Sequence, residues 1–143
     1  MKRILTLIII ISTFAVAVHA QQTQKKTRKV ADVTASAVSD RKISVRYTDG
    51  LKAFYSGNNS EALKIFNGII LDNPKHDPSY FMLAKLYTEK KNYQDAADCL
   101  LSAIKIDKTN VWYKVELANL YMKMEDYVDA AKMWESIWYF NYL

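Results

Sequence analysis

The side chains that most often attack, shuttle protons or hold a metal, histidine and cysteine, are scarce in this sequence. The histidines are His19 and His76, and the one cysteine is Cys99. A His-based triad, a His-rich zinc site or a CxxC pair cannot be assembled from that set. The glycines are Gly50, Gly57 and Gly68, and their spacing makes no phosphate-cradling loop. Glu125, Asp126 and Asp129 form an acidic cluster without EF-hand spacing. It falls at the start of a predicted helix, where carboxylates complement the helix dipole. Cys99 reads as a small, partly buried apolar residue on a helix. The sequence therefore predicts a non-catalytic chain with no metal and no cofactor.

What remains is a set of aromatic and aliphatic side chains, and the elements that place them are helical. The chain has 143 residues, with only three Gly and two Pro against ten Tyr. Few breakers and many good helix formers favour an all-α fold. The net charge of +5 is unevenly spread. Residues 43–143 hold 12 basic and 13 acidic residues, so the excess belongs to the N-terminal 42. A near-neutral folded part argues against a nucleic-acid-binding surface on it.

The chain divides into three parts. Residues 1–20 have a basic start (Lys2, Arg3), an uncharged run from Ile4 to Val18, and small or slim residues ending at Ala20. That is the pattern of a secretory signal peptide cleaved after Ala20. It predicts a bacterial protein secreted across the inner membrane to the periplasm, with an uncleaved, membrane-tethered form as the alternative. Cleavage would leave His76 as the only histidine. Residues 21–40 are polar and basic and predict a flexible linker. Lys25, Lys26, Arg28 and Lys29 in it predict weak contact with an anionic membrane surface. Residues 41–143 form the predicted folded domain.

Within that domain the sequence repeats. A shift of 34 residues aligns 43–76, 77–110 and 111–143 without gaps. Frame position 8 is Gly50, Ala84 and Ala118, and position 20 is Ala62, Ala96 and Ala130. Position 24 is Phe66, Leu100 and Trp134, and position 27 is Ile69, Ala103 and Ile137. Small residues at 8 and 20 let two helices approach, and large ones around them fill the space. Position 27 is expected to face the next repeat. The predicted helices are 41–56, 59–72, 77–90, 93–106, 111–124 and 127–140, with Asp77 as an N-cap and Pro78 opening its helix.

This pattern resembles the tetratricopeptide repeat, most closely over Tyr80 to Asp107. The first repeat departs from it, with Asp49 at position 7 and Asn59 at position 17. The resemblance implies a solenoid of about three helix-turn-helix repeats in a right-handed superhelix. It implies a scaffold or adaptor of the bacterial envelope that binds a protein partner, as a peptide or helix, in the groove lined by the first helix of each repeat. By position, the groove residues are Tyr47, Leu51, Phe54 and Tyr55, then Phe81, Lys85 and Thr88, then Val115, Asn119, Met122 and Lys123. Only Lys85 and Asn119 fit the carboxylate-clamping set of the co-chaperone subgroup, so no such clamp is expected. The sequence ends in an aromatic run. Trp134, Trp138, Phe140 and Tyr142 predict a C-terminal interface, for self-association, further repeats or a partner. The alternative reading is a recognition segment of a longer protein, with an enzymatic or regulatory domain beyond residue 143.

Overall fold

The computed structural model describes the backbone of residues 2–141, and side chains at 21, 22, 24, 25, 28, 29 and 31–138. Six helices follow one another: α1 Lys2–Tyr55, α2 Asn59–Asp72, α3 Asp77–Glu89, α4 Tyr93–Ile106, α5 Val111–Lys123 and α6 Tyr127–Asn141. The described residues contain no strand. The chain separates into two units, residues 1–42 and 43–143.

In the first unit, residues 21–40 differ from the expected linker, for they continue the helix of α1. The physical reason is local. No Gly or Pro precedes Gly50, and Gln, Lys, Arg and Ala are good helix formers. The side chains of residues 31–42 are all exposed, so backbone propensity rather than packing accounts for this stretch. Among the described residues no helix is long and apolar enough to cross a membrane.

The second unit is three helix pairs, α1(43–55)/α2, α3/α4 and α5/α6. Extensive interfaces join α2 to α3, α3 to α4, α4 to α5 and α5 to α6, so these helices pack on their chain neighbours. The small residues do what their size permits. Ala62, Ala96, Ala84 and Ala118 are at most 2% exposed. Gly50 is buried, and a Cβ there would lie 2.7 Å from the Phe66 ring. Around these contacts Phe66, Ile69, Met82, Leu83 and Leu86 form one core. Ala96, Ala97, Leu100, Leu117 and Leu120 form the next.

The turn inside each pair is the same structure three times over. Gly57, Lys91 and Glu125, all at frame position 15, adopt left-handed φ of 78°, 59° and 60°. The next amide closes the turn each time: Asn58 to Ala53, Asn92 to Tyr87 and Asp126 to Tyr121, each 2.9 Å. Only the first turn uses glycine, although that conformation costs other residues roughly 1–2 kcal/mol. Caps complete the helix starts. The Asn58 side chain accepts from the Glu61 amide (3.3 Å), Asn110 from Trp112 (3.2 Å) and Asp126 from Asp129 (3.2 Å). At α3 the N-cap is His76 rather than Asp77. Asp77 enters the first turn, and its carboxylate accepts a 2.7 Å bond from the Tyr113 hydroxyl one repeat further on.

Candidate functional site

The first helices of the second and third repeats, α3 and α5, border a concave pocket of about 330 Å³. Its apolar lining comes from Phe54, Phe81, Ala84, Leu100 and Leu120. Its polar rim comes from Lys85, Thr88 and Glu89 on α3 and Glu116, Asn119 and Lys123 on α5. The spacing explains the assembly. On α3, residues 81, 84, 85, 88 and 89 fall on one face, and on α5 so do 116, 119, 120 and 123. The other faces of the two helices are committed to the core through Leu83, Leu86 and Leu117.

The pocket is held in shape from within. Phe81 is half-buried against Tyr113, with ring centroids 5.2 Å apart. The Lys85 ammonium sits 5.0 Å over the Phe81 ring, a cation-π contact on an exposed lysine. The Thr88 hydroxyl donates to the Ala84 carbonyl at 2.8 Å, which occupies its polar end within the helix. Burial, then the bond to Asp77, pushes the Tyr113 phenol well above its ordinary value, so Tyr113 stays a neutral donor behind Phe81.

Of the expected groove residues, Phe54, Phe81, Lys85, Thr88, Asn119 and Lys123 come together in this pocket. The others do not line it. Tyr47 is half-buried against Phe66 (5.6 Å) and His76 (5.1 Å), and Leu51 packs on the first core. Val115 is half-buried. Tyr55 (79%) and Met122 (48%) are exposed outside it. Glu89 and Glu116 were missed. Glu89 occupies the same frame position as Tyr55 and Lys123, so the frame itself pointed to it. Glu116 lies one position past the expected stripe and carried no such signal.

The remaining polar residues are accounted for by local structure. His76 bonds through Nδ1 to the hydroxyl of the fully buried Ser79 (2.9 Å), and burial holds its pKa below the usual histidine value against the pull of Asp77. Burial, with Asp95 and Asp98 nearby, pushes the Cys99 thiol up to about 11, so it is a poor nucleophile at neutral pH. In the acidic cluster, Asp126 caps α6 and Asp129 pairs with Lys132 at 2.7 Å. No group of three or more His, Cys, Asp or Glu among the described residues could hold a metal ion. Lys25, Arg28 and Lys29 are exposed, and the Lys26 side chain lies outside the described residues. Trp134 and Trp138 are 43% and 63% exposed, while the side chains of Phe140 and Tyr142 lie outside the described residues.

Residues 53–110, two-fifths of the chain, match the family model for the tetratricopeptide repeat. Over those residues the sequence is of the tetratricopeptide-repeat type. Solved repeat structures superpose on this chain. They include a CopN–Scc3 complex (TM-score 0.65, 15% identity, covering 68% of this chain and 58% of that one). MamA 41-end from Desulfovibrio magneticus RS-1 gives 0.63 and 16%, covering 67% and 54%. The Arabidopsis OM64 TPR domain gives 0.62 and 20%, covering 68% and 81%. The Yersinia enterocolitica type III secretion chaperone SycD, in complex with a peptide of the translocator YopD, gives 0.64 and 12%, covering 68% and 74%. The chain spans a little over half the length of the CopN–Scc3 and MamA structures. No curated protein matches the sequence. At these identities the tetratricopeptide-repeat likeness is one of fold.

Proposed function

We propose that this tetratricopeptide-repeat chain is a non-catalytic adaptor that binds an extended segment of a partner protein in the α3/α5 pocket. The observation that carries the reading is the pocket itself. An apolar floor (Phe54, Phe81, Leu100, Leu120) suits one apolar anchor side chain. The rim offers both signs of charge and an amide, which suits the main chain and polar neighbours of an extended peptide. SycD, of the same fold, is seen with a peptide of its partner, and that likeness supports the reading. The N-terminal 20 residues support export across the inner membrane and a periplasmic site of action, and Lys25 to Lys29 support contact with anionic lipid on the way.

The test is a peptide library selected on the full chain, with hits measured by calorimetry against Lys85→Glu/Lys123→Glu. Both lysines are exposed, so the double variant keeps the core intact. Selected peptides are expected to share one apolar anchor and to lose about tenfold or more in affinity on the variant. Selection of no saturable binder, or binders indifferent to both substitutions, would refute the proposal.

A further inference from the structure

The first two helix pairs can be compared corner by corner. In the first repeat, Arg46 at frame position 4 bonds Asp72 at position 30, and its guanidinium lies against Gly68 at position 26. A cation from the first helix and a carboxylate from the second thus close the space between them. In the second repeat the same positions hold Tyr80, Ile106 and Ser102. Neither the charge nor its counter-ion is kept, and the corner is open. It forms a pocket of about 500 Å³ lined by Pro74, Lys75, Tyr80, Ser102, Lys105 and Ile106. That pocket shares no lining residue with the groove between α3 and α5.

The lining is cationic. Lys75 comes from the turn between α2 and α3 and Lys105 from the last turn of α4, and no acid lines the pocket. The groove, by contrast, balances two lysines with two glutamates. Both Lys75 and Lys105 are exposed, and among the described residues neither pairs with a carboxylate. The carboxylates nearest to them in sequence already serve other donors. Asp72 takes Arg46, Asp77 takes the Tyr113 hydroxyl, and Asp107 takes the Thr109 hydroxyl (2.6 Å) and amide (2.9 Å). The Ser102 hydroxyl donates to the Asp98 carbonyl at 2.9 Å and is spent within the helix. The half-buried Tyr80 phenol has no hydrogen-bond partner among the described residues and remains a donor. Spacings of three and four residues put Ser102, Lys105 and Ile106 on one face of α4, so the cation stands beside an apolar wall.

We propose that this pocket binds a small phosphate monoester. Its phosphate lies between Lys75, Lys105 and the Tyr80 hydroxyl, and its apolar body lies on Pro74, Ile106 and the Tyr80 ring. A dianion matches two ammonium groups, and three terminal oxygens match donors that arrive from a turn and two helices. A carboxylate brings one charge and two oxygens, and the forked arginine that suits it best is absent from the lining. The pocket is of the size that holds a small molecule. The bound oxyanion plays the part in the second corner that Asp72 plays in the first.

The probe is phenyl phosphate, added to the isotope-labelled full chain at about pH 8, where the phosphate is a dianion. Backbone amide resonances are followed. Saturable shifts are expected at Lys75, Tyr80 and residues 102–106, with benzoate binding about tenfold or more weakly. Lys75→Gln/Lys105→Gln is expected to weaken phenyl phosphate about tenfold or more, and Tyr80→Phe about threefold or more. Both lysines are exposed, so the double variant keeps the core intact, and an unchanged thermal midpoint checks that. The Lys85→Glu/Lys123→Glu chain is expected to bind as the native chain does. Absence of saturable binding overturns the proposal, as does benzoate binding equally well. Binding indifferent to Lys75 and Lys105, or lost with the groove lysines, overturns it by placing the probe elsewhere. Sedimentation with phosphatidylglycerol vesicles separates the lipid source. Vesicle binding that needs Lys75 and Lys105 and that phenyl phosphate does not compete away would overturn the proposal in favour of a lipid headgroup.

Discussion

Gly50 and Gly68 are both helical glycines, and replacing each with alanine separates steric fit from helix propensity. In either position alanine gains about 0.8–1.0 kcal/mol of helix propensity. At Gly68 the new Cβ would meet only the Arg46 guanidinium, at 2.5 Å. That group is the far end of a flexible side chain and can swing away. The swing disturbs the Arg46–Asp72 ion pair, a surface contact worth about 0.2–1 kcal/mol. Gly68→Ala is thus expected to be neutral or stabilising by up to about 1 kcal/mol. At Gly50 the Cβ would lie 2.7 and 2.9 Å from two ring carbons of Phe66 and 3.1 Å from Ile65 Cγ2. Phe66 is fully buried and has nowhere to turn. Overpacking of this kind costs about 1–3 kcal/mol, which offsets or exceeds the propensity gain. The propensity terms cancel in the comparison, and with the ion-pair loss at Gly68 subtracted Gly68→Ala should be the more stable by about 1.4 kcal/mol at the middle of these ranges. Urea unfolding of both full-length variants, followed by circular dichroism with slopes held equal, measures the difference. A second arm adds Phe66→Leu, which should cost less in the Gly50→Ala background than in the native one. A difference below about 0.5 kcal/mol, or one of the opposite sign, would refute the claim that position 8 is small because the helices cross there.

The left-handed turn residues supply another test. Lys91→Gly and Glu125→Gly each relieve roughly 1–2 kcal/mol of strain and give back part of it to the freer unfolded chain. Each should stabilise by about 0.5–1 kcal/mol, read as a higher thermal midpoint. The pH dependence follows from His76. Its folded-state pKa lies below the unfolded value of 6.5, so the unfolded chain binds more protons between the two. Stability should therefore be full above the unfolded value and decline as pH falls through the window beneath it. His76→Asn should flatten the dependence of the urea midpoint on pH between about 7 and about 5.5.

The frame of 34 carried most of the fold. It placed α2 to α6 within a residue or so, because glycine, asparagine and proline at the turns act locally and the size pattern at positions 8 and 20 is geometric. It failed where one residue serves two surfaces. Tyr47 and Phe81 both sit on the groove side by position, yet Tyr47 is taken up by Phe66 and His76 while Phe81 keeps a face in the pocket. That outcome depends on the neighbouring repeat and not on the residue's own position. Position 27 is read as facing the next repeat, and Ile69 does cluster with Leu83 and Leu86 there. The helical conformation of residues 21–40 was hidden by their lack of an apolar stripe, for a helix needs periodicity only when it packs.

Packing between chain neighbours bears on how the molecule comes apart. Its interfaces join segments a few tens of residues distant at most, so little loop-closure entropy opposes their formation. Each helix pair can settle as soon as it and one neighbour are present, in either direction along the chain. A force or a protease that opens one interface therefore need not open the next, and the helix pairs come apart stepwise rather than all at once.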